Sequence, residues 1–298
     1  MPELPEVETV KRGLAPSMEG RTIAQLELRR PDLRFPFPEN LAQRVEGRTI
    51  IGMGRRAKFM TIDLDDGGVM VCHLGMSGSY RLEQDLGADA PGVFHHPRNK
   101  DQRHDHMVIH MAGTGAAPAV RVIYNDPRRF GYIQYLQRRD FDSHPSFKLL
   151  GPEPVGNVLS ADHLASRFAG RRTPVKAALL DQRNVAGLGN IYVCEALWRA
   201  GISPRRRVAT LVTKAGAPSA ALERLTVAIV EVIAEAIEAG GSTLRDHTKA
   251  DGTLGYFQHR FAAYDQEGRP CVYPGCGGTI RRIVQSGRST FYCSTHQR

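Results

Sequence analysis

The sequence predicts an α+β fold in several domains: a β-sandwich led by one helix over residues 1–137, a linker at 138–154, a helical domain over 155–261 and a cysteine-bearing hairpin at 262–298. Three observations lead there. Apolar residues alternate with polar ones from Arg21 to about Leu136, they recur at helical spacing after Pro154, and the last stretch holds three of the five cysteines. A chain of 298 residues has room for two or three such units with cores of their own.

The leading helix starts near Pro5, which suits a first helical position, and Val7, Val10 and Leu14 recur on one face. Lys58 to Leu64 alternates, Asp66-Gly67-Gly68 makes a turn and Val69 to Leu74 follows, so a hairpin is expected. Ala119 to Tyr124 and Phe130 to Leu136 read as further strands. Between hairpin and strands, Glu83 to Gln102 is polar and rich in Gly, Pro and His, the composition of a long surface loop. In the second half Leu164 and Phe168 pair at i, i+4, Pro174 opens a segment with Val175 and Leu179, and Ile191, Cys194 and Trp198 form a stripe closed by Gly201. The longest helix is expected over Ser219 to Ala239, with Leu222, Leu225, Ile229, Val232 and Ala236 on one face and Gly240-Gly241 ending it.

Forty Lys and Arg against thirty-one Asp and Glu leave a net charge of +9, which points to a polyanionic partner. No apolar run approaches the ~20 residues of a membrane span, and the first residues lack a signal-peptide layout, so a soluble, intracellular protein is expected. Cys72 and Cys194 stand alone among apolar neighbours. With five cysteines in all, this argues against a disulfide framework and for a metal site.

Five patterns carry chemistry. Methionine before proline is normally removed during synthesis, which would leave Pro2 as an N-terminal secondary amine of pKa near ~8. Such an amine attacks a sugar C1′ or an aldehyde to give an iminium, an electron sink, and Glu3 beside it can move protons. The tail reads Cys271-x4-Cys276-x16-Cys293-x2-His296, ligand pairs spaced to close a tetrahedron on zinc, with redox cysteines as the plainer alternative. Arg281, Arg282 and Arg288 accompany that hairpin as cations for an anionic groove or as a solvated face. Gly187-Leu-Gly-Asn190 precedes a helix and could hold a phosphate there, though a plain capped loop reads equally well. Asn125 to Gly131 presents Arg128, Arg129 and Phe130 on a tight turn, where Phe130 is a wedge for a base stack or a core residue. Lys58 is a candidate for proton transfer or phosphate binding, or a surface charge. His95, His96, His104 and His106 lack the spaced partners of a metal site, and His104 is read as a phosphate contact.

With these residues laid out, the chain resembles the bacterial formamidopyrimidine-DNA glycosylase family over nearly its full length. The likeness rests on Pro2-Glu3-Leu4-Pro5-Glu6-Val7-Glu8-Thr9, Arg55-Arg-Ala-Lys58-Phe, His73-Leu-Gly-Met-Ser-Gly78, His104-Asp-His106, Asp126-Pro-Arg-Arg-Phe-Gly131, Leu150-Gly-Pro-Glu-Pro154, Gly187-Leu-Gly-Asn-Ile-Tyr192, Gly240-Gly-Ser-Thr-Leu-Arg-Asp246, Gly255-Tyr-Phe257 and Gly287-Arg-Ser-Thr-Phe-Tyr-Cys293. The resemblance implies a helix-two-turn-helix middle domain, one structural zinc and a monomer acting in the bacterial cytoplasm on duplex DNA with oxidised purines, 8-oxoguanine and formamidopyrimidines. It implies glycosylase and lyase chemistry, with Pro2 as nucleophile, Glu3 protonating the opening sugar, Lys58 donating a proton in β-elimination and Arg288 serving δ-elimination and a phosphate. His73, His104, Arg128 and Arg172 fall on positions that hold DNA, and Lys176 and Asn190 on further phosphate contacts. Met76, Arg128 and Phe130 match the trio that fills the space left by an extruded nucleotide, and Asp251 to Tyr256 the flap over the lesion.

Two departures stand out: His296 replaces a usual fourth cysteine, and Arg172 a usual lysine. The stretches at Asp85 to Gln102 and Gly113 to Ala119 also look longer than typical. A rival within the class is an endonuclease-eight-like enzyme for oxidised pyrimidines, whose start typically reads Pro-Glu-Gly-Pro-Glu; Leu4 points away from it. A rival outside it is a non-catalytic, zinc-stabilised nucleic-acid-binding protein, against which Pro2, Glu3 and Lys58 weigh.

Overall fold

The computed structural model describes residues 2–84, 101–115, 117–242 and 256–298. By its contacts the chain forms two units, one of Met1–Phe147 with Gly240–Tyr256 and one of Lys148–Ala239 with Phe257–Arg298.

The first unit opens with α1 (Leu4–Met18). Glu3 is its N-cap, and the Glu3 backbone N–H donates to Glu6 Oε2 at 2.8 Å in a capping box that fixes where the helix starts. Val7, Val10, Leu14 and Met18 are fully buried on its inner face. The helix stops at Glu19, which is extended, and at Gly20 with φ +75°, a conformation favouring glycine. There follow β1 (Ile23–Leu28), α2 (Leu41–Val45), β2 (Ile50–Arg56), β3 (Phe59–Leu64), β4 (Gly68–His73), β5 (Ser79–Gln84), β6 (Asp105–Met111), β7 (Val120–Asn125) and β8 (Tyr132–Gln137). They make two four-stranded antiparallel sheets of order β1-β6-β7-β5 and β2-β3-β4-β8. One continuous core draws on both: Ile23, Met107, Ile109 and Val122 from the first, Ile50, Met60, Ile62, Met70 and Cys72 from the second, and the inner face of α1. The expected hairpin is present with Phe59 opposite His73, and β1, β2, β5 and β6 are additions to the strands singled out in the sequence.

The second unit holds α3 (Ala161–Phe168), α4 (Val175–Leu180), α5 (Asn190–Arg199), α6 (Ala220–Glu238) and the antiparallel pair β9 (Ile280–Gln285) and β10 (Arg288–Cys293). Ser160 and Ser219 cap α3 and α6 by accepting from the His163 and Leu222 N–H groups. The α6 stripe is wider than expected, since Thr226, Ala228 and Ile233 are buried as well. Ser286 and Gly287, at φ +49° and +70°, join β9 to β10 in a two-residue turn whose positive φ angles suit the strand twist. Glu195 of α5 is a buried carboxylate that accepts from the Ala262, Ala263 and Tyr264 N–H groups at 2.7–3.0 Å, fastening the approach to this hairpin. Burial raises its pKa in spite of those bonds. Among the described residues no helix is long and apolar enough to cross a membrane.

Candidate active site and nucleic-acid interface

The start of α1 is tied down by more than its cap. Glu6 Oε1 accepts from Ser242 N at 2.8 Å and Ser242 Oγ at 2.9 Å, so residues 240–242 pack against the turn that carries Pro2 and Glu3, both buried. Lys58 is 8% exposed in the β2–β3 turn, where its neighbour Ala57 adopts φ +52°. A non-glycine residue there is strained, and the Arg55 guanidinium helps hold it by donating to Ala57 O at 3.1 Å.

His73 ends β4 beside that turn. Its ring stacks on Tyr132 at 5.0 Å and 13° and meets Phe59 edge-on. Burial first, then the positive Lys58 and Arg34, push its pKa down to about 4. The Gly75 N–H donates to Nδ1 at 3.0 Å. A backbone N–H can only donate, so the ring is neutral with its proton on Nε2, an uncharged donor whose orientation is fixed.

Met76, Arg128 and Phe130 lie on two turns, residues 74–78 and 125–131, fastened through one carboxylate. Asp126, fully buried, accepts from Ser77 Oγ at 2.5 Å, Gly131 N at 2.8 Å and Tyr124 Oη at 3.2 Å. Ser77 Oγ in turn accepts from Arg128 N at 3.2 Å. Gly75, at φ +62°, lies so close to the Phe130 and Gly131 backbone that a Cβ would collide. Met76 is 37% and Phe130 43% exposed, and the Arg128 guanidinium sits 5.0 Å from the Phe130 ring centre. Phe130 is therefore not tucked into the core. His104, half-buried, accepts at its carbonyl from Asp126 N and so backs the same turn.

In the second unit Arg172 is exposed ahead of α4, and Arg288 is exposed at the start of β10. Lys176 departs from the expectation of a phosphate contact. It is fully buried, and its ammonium donates to Thr290 Oγ1 at 2.6 Å and Ser289 O at 3.1 Å. Asn190 Nδ2 donates to the same carbonyl at 2.9 Å, while Asn190 Oδ1 is buried with no hydrogen-bond partner among the described residues. Two side chains read as DNA contacts thus converge on the hairpin strand that begins with Arg288. Lys176→Met should remove a buried donor and cost about 2 kcal/mol, lowering the melting temperature by roughly 4 °C. Weaker DNA binding at an unchanged melting temperature would instead return Lys176 to the DNA surface.

The sulfurs of Cys271, Cys276 and Cys293 lie within 4.8 Å of one another, a spacing and donor set that fit a zinc ion. Burial opposes ionisation of Cys293, yet N–H groups of His296 and Thr295 and the neighbouring thiols hold its pKa below the usual thiol range. His296 is not brought to the sulfurs. Its ring stacks on Tyr273 at 3.8 Å and its Nε2 is 2.8 Å from Trp198 O, while Trp198 Nε1 donates to Cys271 Sγ at 3.3 Å. The expected flap at Asp251–Tyr256 lies outside the described residues except for Tyr256, as do residues 85–100 and 116 of the two longer stretches.

Sequence reasoning singled out neither Asp126 as the hub of the two turns nor Glu6 as the anchor of Ser242. Both stand within motifs quoted above, but their partners are distant in sequence.

Two antiparallel sheets with a proline-led helix, followed by capped helices and a cysteine-bearing hairpin, accord with the helix-two-turn-helix DNA glycosylase organisation expected from the resemblance. The sequence profile of the formamidopyrimidine-DNA glycosylase N-terminal domain matches residues 1–133, and that of the family's H2TH domain residues 150–248. A formamidopyrimidine-DNA glycosylase of Rhizobium etli is 62% identical over 298 residues, and one of Agrobacterium fabrum 61% over 300, each match covering 100% of both chains. The Lactococcus lactis enzyme solved with DNA containing an abasic site matches with TM-score 0.83 at 32% identity over 99% of both chains. A MutM complex with carbocyclic 8-oxo-G DNA matches with TM-score 0.82 at 31% identity over 100% of both. The chain belongs to the formamidopyrimidine-DNA glycosylase family.

Proposed function

We propose that the chain is a bifunctional DNA glycosylase and apurinic/apyrimidinic lyase. It removes oxidised purines from duplex DNA, acting as a monomer in the bacterial cytoplasm. The observation that carries this reading is full-length likeness to named enzymes of the family at 62% identity, with Pro2 and Glu3 standing at the start of the chain. The Pro2 nitrogen attacks C1′ of the damaged nucleotide. A nitrogen–carbon bond forms, the bond from C1′ to the base breaks, and the base leaves with a proton. Glu3 protonates the opening sugar oxygen, and the resulting iminium makes C2′ acidic: a C2′ proton is lost to a base or water, its electrons form a C2′–C3′ double bond, and the C3′–O bond breaks to release the 3′-phosphate. Lys58 donates a proton in that step, and Arg288 serves the second elimination, leaving a one-nucleotide gap. His73 offers a phosphate its Nε2–H as a neutral donor, and His104, Arg172 and Asn190 supply further backbone contacts. Three thiolates with His296 would hold one zinc, which supplies structure to the hairpin and takes no part in the chemistry.

The test is an 8-oxoguanine duplex with borohydride, which should give a covalent protein–DNA adduct and, without reductant, a gapped strand. Absence of both would sink the reading. The same assay examines the 125–131 turn. Extruding a nucleotide costs a few kcal/mol, offset if Phe130 wedges the stack and Arg128 hydrogen-bonds the partner base. Arginine only donates, so it favours the acceptor-bearing edge of cytosine over adenine. Arg128→Ala is expected to slow single-turnover excision opposite cytosine and narrow its advantage over adenine, whereas Phe130→Ala slows both alike. An unchanged ratio in Arg128→Ala would remove Arg128 from reading the partner base.

A further inference from the structure

Beside the 125–131 turn lies a second cation–aromatic pair that no motif above includes. Residues 31–37, between β1 and α2, double back on themselves: Leu33 N donates to Phe35 O at 3.0 Å and Phe37 N to Pro31 O at 3.1 Å. Leu33 is 6% exposed and anchors the loop in the core. Pro31, Pro36 and Pro38 restrict its backbone, so little entropy remains to be lost on contact with a partner. The loop is joined to the neighbouring turn at two points, Arg34 N donating to Gly131 O at 3.1 Å and Arg129 Nη1 lying 3.5 Å from Asp32 Oδ1.

At its tip Arg34 is exposed and Phe35 is 52% exposed. The Arg34 guanidinium sits 5.5 Å from the Phe35 ring centre, and that ring meets Tyr132 edge-on at 5.3 Å. Tyr132 is the platform on which His73 stacks. Arg34 is close enough to His73 to disfavour a positive charge there, as Lys58 does. Arg34, Lys58 and the Nε2–H of His73 thus bring donors to one region, and Arg34 is bonded to Gly131 at the end of the turn that carries Arg128. Stiff backbone holds this ring and guanidinium side by side at the surface, so the pair is arranged before any partner arrives. A polyanion with an apolar sugar face between its charges suits such a pair.

We propose that Arg34 and Phe35 form a second DNA-contacting finger, in which Arg34 binds a backbone phosphate of the duplex next to the extruded nucleotide and Phe35 packs on the adjoining deoxyribose. This rests on the glycosylase reading for its choice of partner. The contact adds affinity without reading sequence, because phosphate and sugar are the same at every step. It also stiffens the 125–131 turn from behind, since the two loops share the Arg34–Gly131 hydrogen bond.

The experiment measures equilibrium binding of the full chain to a duplex bearing a tetrahydrofuran abasic analogue and to the undamaged duplex, across a potassium chloride series. Arg34→Ala is expected to weaken both about five- to tenfold and to lower the slope of log K against log salt by about one. Arg34→Lys should keep the slope. Phe35→Ala should weaken binding with the slope unchanged, as befits an apolar contact. Parental affinity and slope in Arg34→Ala would overturn the proposal, and so would weaker binding at an unaltered slope. Borohydride trapping of the parent chain is run alongside. A parent that binds but is never trapped removes the glycosylase reading and leaves the salt result to decide the finger by itself.

Discussion

A preparation that keeps Met1 will give no covalent adduct with an 8-oxoguanine duplex under borohydride, while the same chain beginning at Pro2 will be trapped. The expected loss of excision is at least about 10³-fold, the scale on which removing an enzymatic nucleophile acts. The reason is elementary. With Met1 present the proline nitrogen belongs to an amide, its lone pair is delocalised, and it cannot attack C1′. With Met1 gone it is a secondary amine whose ordinary pKa is near ~8. Pro2 is held where Glu3 caps α1, so the freed amine would stand beside the carboxyl group that moves protons. Glu6, which takes the Glu3 N–H and both donors of Ser242, keeps that end of the helix in place. Pro2→Gly would retain a primary amine and therefore some trapping, which separates loss of the nucleophile from loss of the fold. Intact mass followed by single-turnover excision decides the matter, and full activity from Met1-bearing protein would end this mechanism.

How much of this was legible in the sequence depends on how far apart the interacting residues are. The β3–β4 hairpin was readable because alternation and Asp66-Gly67-Gly68 are local signals, and α6 because its apolar stripe repeats from Leu222 to Ala236 within one segment. Strand β6 was missed since Asp105, His106 and His110 interrupt its apolar residues. Its two histidines and its aspartate find partners only in three dimensions, Asp105 on Arg81 and Asn125, His106 on Asp126 O and His110 beside Glu27. The two-turn arrangement was visible as two motifs, but that Asp126 ties them together follows from a hydrogen bond to Ser77 spanning 49 residues. Lys176 shows the limit most clearly. The family resemblance makes Lys176 a phosphate contact, and only the return of Thr290, 114 residues later, shows the charge turned inward. Arg34 and Phe35 went unread for the converse reason: an exposed arginine and aromatic between prolines carry no periodicity, and only their link to Gly131 gives them a setting.

The second large effect concerns the terminal hairpin. Cys293→Ser is expected to abolish stoichiometric zinc binding and to weaken DNA binding at least tenfold, because the cluster of Ala263, Cys271, Ile280, Phe291 and Cys293 is too small to hold β9 and β10 without metal. Arg288 loses its platform when that strand pair frays, so lesion and undamaged duplexes should suffer together. His296 requires its own arm. It stands where a fourth ligand is expected, but its ring is engaged by Tyr273 and Trp198 O. Releasing the ring forfeits about 1 kcal/mol for the hydrogen bond and a similar amount for the stack. Structural zinc sites bind with apparent free energies of about 10–16 kcal/mol, so one coordinate bond outweighs that loss. We therefore propose that His296 turns to the metal when zinc binds. His296→Cys should hold zinc at least as tightly, and His296→Ala should bind it at least tenfold more weakly in chelator competition. Cobalt substitution gives a readout independent of activity, since the d–d bands of a three-sulfur, one-nitrogen site differ from those of four sulfurs. Equal zinc affinity and identical cobalt spectra in the parent and His296→Ala would leave the three thiolates as the only protein ligands and His296 as a brace between Tyr273 and Trp198.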